Sequence, residues 1–168
     1  MNSTALRACP GCGLSLPISD SPAADERVNA SPECWDLHGE LTAYTVTRGD
    51  SDFIHQLLVD TYAAQHVNAL SRPIGIAFAL IGLYLTYEKG YNGRQVQHTH
   101  MLLARRSKQW PTFQRPLSTG ALTVFDVLQC EPGEALDSML REWGDSVWEA
   151  WSAEHARVRE LFETVMAD

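Results

Sequence analysis

The sequence DTYAAQH, residues 60–66, is followed after a short loop by PIGIAFALIGLYLTYEK, residues 73–89, the most apolar part of the chain. Residues 74–87 form an uninterrupted uncharged run, and a helix that is apolar on most of its sides is typical of a buried core helix. The run is shorter than the roughly 18–20 residues that cross a bilayer. We therefore predict a core helix over residues 73–89, polar side chains of residues 60–66 beside it, and no membrane-spanning segment.

The remainder of the chain also favours a helical fold. Hydrophobic residues make up 45% of the 168 positions, which predicts a single globular domain over residues 1–168. Ser31 and Pro32 are typical of a helix start, because serine caps the free N–H groups and proline suits the first helical position. We predict an all-α fold: a bundle of about five to six helices over residues 31–168, with an N-terminal zinc-knuckle segment and loop over residues 1–30 packed on it.

Charge is unevenly distributed along the chain, whose net charge is −8. Residues 72–115 contain seven basic side chains and one acidic one, whereas the segments on both sides are acidic. This basic segment can receive a small anionic ligand or a protein partner, or it can pair with the acidic C-terminal helices. The overall acidity argues against general nucleic-acid binding, which needs a broad positive surface.

Three cysteines in the first 34 residues are candidate metal ligands. Cys9 and Cys12 form a Cys-x-x-Cys turn with glycines at positions 11 and 13, and two thiolates at this spacing can bind one tetrahedral ion. The alternative is a redox dithiol, which normally lies between a strand and a helix. Cys34 falls in the first turn of the helix predicted from residue 32, where the helix N-terminus stabilises a thiolate.

The cellular compartment of the protein decides whether its cysteines more often bind metal or form disulfides. The first 13 residues lack the apolar stretch of a secretory signal, so we expect a cytoplasmic protein. In a reducing compartment, closely spaced cysteines more often bind metal than form disulfides. The sequence therefore favours a zinc site over a disulfide framework.

Two histidines can complete a four-ligand zinc site. His38 lies four residues after Cys34 and so faces the same way on a helix. His66 ends the DTYAAQH sequence. The metal-site hypothesis is zinc bound by Cys9, Cys12, Cys34 and one of these two histidines.

A second set of polar residues suggests a catalytic pocket. If residues 53–66 are helical, His55, Tyr62 and His66 share one face. His155 occupies a heptad position among apolar residues, where burying an unpaired imidazole costs on the order of 1–3 kcal/mol. It is either hydrogen-bonded in the core or faces a site with His55 or His66. The candidate catalytic residues are His55, Asp60, Tyr62 and His155, and His55, His66 and His155 form a candidate metal-binding triad.

Four short motifs make the chain resemble an uncharacterised bacterial family, a domain of unknown function. The family pattern reads CPxCG, SPxCW, DxYxxQH and VWxAWxxxH, and this chain has CPGCG at 9–13, SPECW at 31–35, DTYAAQH at 60–66 and VWEAWSAEH at 147–155. The resemblance implies no activity. An aromatic residue usually occupies the position of His38 in this family, so the resemblance favours His66 as the fourth ligand. The residues on motif positions are Cys9, Cys12, Cys34, Asp60, Tyr62, Gln65, His66 and His155.

Two classes of function fit these features. In the first, a closed zinc site clips the N-terminus to the bundle, and the protein binds a small anionic ligand or a protein partner. In the second, the protein is a metal-dependent enzyme whose histidine pocket performs acid–base or metal-activated chemistry on an anionic small molecule. The sequence leaves enzymatic activity open. The apolar helix and five tryptophans make a homodimer a further expectation.

Overall fold

The computed structural model describes residues 5–167, so the first four residues and the last residue of the predicted domain lie outside this range. Within it, the chain forms a small antiparallel sheet, seven α-helices and one 3-10 turn, Ser152–Glu154. The strands are β1 (Leu6–Ala8) and β2 (Ser15–Pro17), and the helices are α1 (Pro32–Thr47), α2 (His55–Gln65), α3 (Pro73–Lys89), α4 (Gly93–Arg106), α5 (Val124–Leu128), α6 (Glu134–Ala150) and α7 (His155–Ala167).

Helix α3 is the central element of the fold. It has the predicted bounds, contacts α2, α4, α6 and α7, and buries a run of side chains that includes Leu80, Ile81 and Leu83 completely. Gly90 ends it in the left-handed conformation, with φ of 69°. That conformation is the usual helix C-terminal signal of glycine. The core helix predicted from the sequence is therefore present.

A close approach between α2 and α3 depends on one glycine. A Cβ atom at Gly82 would clash with the carboxyl group of Asp60, which is 4% exposed and lies between the two helices. Since glycine has no Cβ, the backbone of α3 can pack directly against this polar side chain. The contact between α2 and α3 packs α2, which contains most of the DTYAAQH sequence, directly against the core helix.

The N-terminal segment packs on the ends of α1 and α2. Strands β1 and β2 pair from Leu6–Pro17 to Ala8–Ser15, and the turn between them carries Cys9 and Cys12. Further along, the backbone N–H of Asn29 donates to the carbonyl of His66 at 2.9 Å. This hydrogen bond holds the loop after β2 against the C-terminus of α2.

The sequence prediction differs from the structure in two respects. The fold is mainly helical, as predicted, but residues 5–17 contain a two-stranded sheet where no strand was expected. Strands of three residues are too short to show an alternating pattern. The described chain also has seven α-helices rather than five to six; α5 has only five residues, and the 3-10 turn divides α6 from α7.

Two expectations about the surface can be compared with the structure. Within residues 5–167, no helix combines the length and the apolar character needed to cross a bilayer. None of the seven basic residues of segment 72–115 forms a salt bridge with a carboxylate in the described part of the chain. The predicted alternative in which these residues pair with the acidic C-terminal helices is therefore not seen there.

Candidate metal centre

Four side chains that are distant in sequence meet at the junction of the N-terminal segment, α1 and α2. The ligand atoms of these four residues all lie within 4.8 Å of one another, which is close enough to hold one metal ion. Two come from the turn between β1 and β2, one from the first turn of α1, and one from the residue that ends α2. They are Cys9, Cys12, Cys34 and His66.

Two of the separations between these ligand atoms match a tetrahedral site. Sγ of Cys12 lies 3.8 Å from Sγ of Cys34, and that sulfur lies 3.5 Å from Nε2 of His66. A tetrahedral ion with metal–sulfur bonds of about 2.3 Å and metal–nitrogen bonds of about 2.0–2.1 Å separates two sulfurs by about 3.8 Å and a sulfur from a nitrogen by about 3.5 Å. Cys34 is thus spaced from both Cys12 and His66 as two ligands of one ion would be.

The orientation of His66 is set by the end of α2. Its Nδ1 lies 2.9 Å from the carbonyl oxygen of Tyr62, and its own backbone N–H donates to the same oxygen at 3.0 Å. Because Nδ1 carries the proton that this carbonyl accepts, the lone pair of Nε2 points toward the thiols. A backbone carbonyl bound to the second ring nitrogen is the usual support for a histidine ligand.

The cysteines are held by local backbone geometry. The N–H of Cys9 donates to the carbonyl of Leu14 at 2.8 Å, and the N–H of Gly13 donates to the carbonyl of Cys9 at 2.9 Å. A Cβ at Gly11 would clash with the ring of His66, so glycine is needed for this close approach. On α1, the N–H of Cys34 donates to the Oγ of Ser31, the predicted helix cap, at 3.2 Å.

The thiols are strongly coupled to one another. Hydrogen bonds with Cys12 and Cys34 lower the pKa of Cys9, whereas hydrogen bonds with Cys12 and Cys9, together with burial, raise the pKa of Cys34. Three thiolates this close repel one another, so ionising one thiol opposes ionisation of its neighbours. A divalent cation in the centre removes this opposition, because it stabilises all the thiolates together.

Aromatic rings surround the histidine side of the centre. The hydroxyl of Tyr62 lies 3.4 Å from Sγ of Cys34, and its ring stacks on His66 with centroids 3.8 Å apart. His38 packs on the other side, 4.1 Å from Tyr62 and 4.7 Å from the stacked ring of Trp35. His38 is therefore part of the aromatic packing and is not among the four residues whose ligand atoms converge.

Most of the other predicted pocket residues lie elsewhere. Nδ1 of His55 is 2.9 Å from Oγ1 of Thr45 on α1, and burial lowers the pKa of His55. The half-buried ring of His155 stacks on Trp148 at 3.7 Å, and its Nε2 is 2.8 Å from the carbonyl of Trp148. Among residues 5–167, His55 and His155 belong to no metal-ligand cluster. His155 is hydrogen-bonded, as one alternative predicted, but it is half-buried and does not lie in the core.

Asp60 is separate from the thiols. Its Oδ1 accepts a hydrogen bond from Nε2 of Gln56 at 3.1 Å. Burial raises the pKa of this carboxyl well above its ordinary value, although the bond from Gln56 opposes the shift. Of the four candidate catalytic residues, only Tyr62 contacts the converging thiols. A catalytic role for these residues remains a prediction.

The sequence analysis did not identify the residues that bind the backbone of the turn between Cys9 and Cys12. Oγ1 of Thr119 donates to the carbonyl of Gly11 at 2.9 Å, and a guanidinium nitrogen of Arg115 lies 3.3 Å from the carbonyl of Pro10. Gln65 binds the loop that contains Thr119, through Nε2 to the Thr119 carbonyl at 3.1 Å. The position of Gln65 next to His66 was the only feature of the sequence that could have indicated its role. Residues 115–119 have no periodic pattern that would place them near the cysteines.

The fold and the site together define a class: a small, mainly helical protein with three cysteines and one histidine that could hold a metal ion. The chain belongs to a family described as a family of unknown function (DUF5946), which matches residues 7–152. The matched range contains all four residues of the cluster. No curated protein and no solved structure matches the chain.

Proposed function

We propose that this protein binds one zinc ion through Cys9, Cys12, Cys34 and His66, and that the ion clips the N-terminal segment onto the helices. The observation that supports the proposal is the convergence of three thiols and one oriented imidazole nitrogen within 4.8 Å. Thiolate and imidazole ligands in a tetrahedral arrangement favour zinc among the common divalent metals.

The proposed role of the ion is structural. Four protein ligands complete a tetrahedral zinc site, so no position remains for a metal-bound water. The hairpin that carries Cys9 and Cys12 has three-residue strands that are mostly exposed, and it offers little apolar area to hold it on the helices. The free energy of metal binding replaces that missing packing energy. Such thiolate ligands are stable in a reducing compartment, in keeping with the predicted cytoplasmic location.

The clip also shapes a surface. It fixes the loop that precedes α1 beside α2, and together these segments border a cavity next to His66. In this proposal the protein acts by binding, through that surface, a small anionic ligand or a protein partner. The zinc ion organises the surface and takes no part in a reaction.

The experiment that tests the zinc clip is a measurement of metal content per chain, by elemental mass spectrometry, on the protein as purified. We expect about one zinc per chain in the wild type. A Cys9→Ser, Cys12→Ser double variant should lose it. Cys130→Ser is the matched control, because Cys130 is a free cysteine outside the cluster whose thiol contacts the carbonyl of Asp126.

Substitution of the two histidines locates the fourth ligand. His66→Ala should reduce the zinc content, whereas His38→Ala should leave it unchanged, since His38 is not among the converging residues. Metal that stays at full occupancy in the double cysteine variant would overturn the proposed site. Loss of metal in His38→Ala but not in His66→Ala would overturn the choice of histidine.

A further inference from the structure

A cavity of about 330 Å³ opens to solvent beside the metal centre and shares His66 with it. This volume lies near the lower end of the range of small-molecule sites, about 300–1,000 Å³. The cavity is bordered by five parts of the chain: the loop before α1, α1 itself, α2, the loop between α2 and α3, and the start of α3. Its lining includes Arg27, Trp35, Tyr62, His66, Arg72 and Gly75.

The α1 and α2 sides of the cavity present a continuous series of aromatic rings. Trp35 stacks on His38 at 4.7 Å, His38 meets Tyr62 at 4.1 Å, and Tyr62 stacks on His66 at 3.8 Å. Tyr62 and His66 are only 3% and 2% exposed, so the half-buried Trp35 and His38 are the members of the series that can meet another ring. Aliphatic side chains complete the lining, among them the 40% exposed Val59. The interior therefore favours a flat apolar group.

The charged groups that border the cavity are both cationic. Arg27 and Arg72 line it, and among residues 5–167 no carboxylate does. Arg72 has no salt-bridge partner in the described chain, and Arg27 has only a 3.9 Å contact with Asp25 between two exposed side chains. No side chain caps the N-terminus of α3 at Arg72, and the free N–H groups at a helix start add to the positive potential.

We propose that this cavity binds a small organic anion with one or two flat rings. The rings lie against the half-buried Trp35 and His38, and the anionic group, such as a carboxylate, lies between Arg27 and Arg72. Guanidinium groups bind carboxylates through charge-assisted hydrogen bonds, which are stronger than neutral ones. The proposal rests on the proposed zinc clip, because the ion would hold both His66 and the loop that carries Arg27.

Shared residues couple the two sites. If the ion orders His66 and the loop before α1, metal binding prepares the cavity for the anion. Linkage then requires that the anion tighten metal binding by the same factor. The zinc site would in this way act as a support that sets the affinity of the cavity.

The test is isothermal titration calorimetry of the zinc-loaded full chain with 2-naphthoate, and with 2-naphthamide as the uncharged probe of the same shape. We expect saturable binding of one naphthoate per chain and more than about tenfold weaker binding of the amide, because the amide loses the charge-assisted interactions with both arginines. Arg72→Gln should weaken naphthoate binding about tenfold and leave amide binding unchanged. Arg105→Gln, an exposed arginine outside the cavity, is the control.

A second variant tests whether naphthoate binds in this cavity, and it does not disturb the core. Gly75 lines the cavity, and a Cβ there meets no atom within 4 Å, so Gly75→Leu should fill the open space and abolish naphthoate binding. Gly39→Leu is the matched control: Gly39 is also an exposed helical glycine with open space around it, but it does not line the cavity. Leucine favours the helix over glycine in both variants, so both should fold.

The outcomes separate this inference from the zinc clip, because zinc content is measured on every sample. A zinc-loaded wild type that fails to bind naphthoate overturns the cavity proposal and leaves the clip standing. Equal binding of naphthoate and naphthamide overturns the anionic class, and binding retained in Gly75→Leu overturns the location. Dimerisation that is lost in Gly75→Leu, without naphthoate binding, would assign the cavity to a second copy of the chain instead. A cysteine-site variant without zinc that still binds naphthoate with wild-type affinity would overturn the coupling.

Discussion

Nε2 of His66 lies 3.5 Å from Sγ of Cys34, although 32 positions separate the two residues in the sequence. The contact joins the end of α2 to the start of α1, and the turn with Cys9 and Cys12 closes over it. Each ligand lies where its own element begins, ends or turns. A metal ion bound at this point would therefore link three chain segments at their ends.

Tyr62→Phe should weaken metal binding without displacing the ligands. The substitution removes the hydroxyl that lies 3.4 Å from Sγ of Cys34 but keeps the ring that stacks on His66. Loss of a group that supports a ligand typically lowers metal affinity by about 10–100-fold. The affinity is measured by zinc competition with a chromophoric chelator. An affinity equal to that of the wild type would show that the hydroxyl does not support the thiolate.

Metal removal should loosen the N-terminal segment and leave the core folded. In hydrogen exchange after chelation, the amide of Cys9, bonded to Leu14, and the amide of Asn29, bonded to His66, should lose protection. The amides of α3 should stay protected, because this helix is buried by α2, α4, α6 and α7. Cys130→Ser provides a control that retains the metal. Uniform loss of protection along the chain would show that the ion holds the whole fold and not one segment.

Elements with a local sequence signal were predicted well. The bounds of α3 follow from its apolar composition and the glycine after it, and the start of α1 follows from Ser31 and Pro32. The choice between His38 and His66 could not be made from local spacing, because His38 has the right offset from Cys34. In the structure His38 packs against the ring of Tyr62, whereas Nε2 of His66 lies 3.5 Å from Sγ of Cys34, and neither contact follows from local spacing.

Other features depend on contacts that no short pattern reveals. The heptad spacing of His155 predicted a position in the core, but the structure breaks the helix just before it, and its ring folds back on Trp148. The cavity could not be predicted from the sequence either, because its lining residues Trp35, Tyr62 and Arg72 come from three helices or their caps. Only the basic character of residues 72–115 indicated an anionic ligand, and it did not indicate where that ligand would bind.

Gly82→Ala should destabilise the fold even though alanine is the better helix former. The added methyl group would clash with the carboxyl of Asp60 across the α2–α3 contact, and overpacking of this kind costs about 1–3 kcal/mol. Gly75→Ala, in the open first turn of the same helix, should instead gain up to about 1 kcal/mol. Urea denaturation measures both values. Asp60→Ala should suppress the effect of Gly82→Ala, and full additivity of the two substitutions would rule out the clash.

Gln65→Leu should weaken the support of the cysteine turn. The amide of Gln65 donates to the carbonyls of Thr119 and Leu122 and accepts from the indole N–H of Trp143 at 3.0 Å. Leucine has similar size but leaves these buried groups unpaired, at about 1–3 kcal/mol for each one. We expect a lower free energy of unfolding and weaker zinc binding, because Thr119 also donates to Gly11. Loss of stability with unchanged zinc affinity would show that the loop does not support the metal centre.

Asp60→Asn should stabilise the protein at neutral pH, and the gain should shrink as the pH falls. Burial raises the pKa of Asp60 well above its ordinary value of 3.8, so the folded state holds a proton that the unfolded state releases. The stability contributed by the protonated carboxyl is complete below the unfolded pKa and is lost as pH rises toward the folded pKa. Asparagine has nearly the same shape, stays neutral at every pH and can still accept the hydrogen bond from Gln56. Urea denaturation of both proteins between pH 4 and pH 8 measures the difference, and the pH dependence of the metal site cancels because both proteins keep it. A difference that stays constant over this range would show that Asp60 is ionised in the folded protein and is compensated by its surroundings.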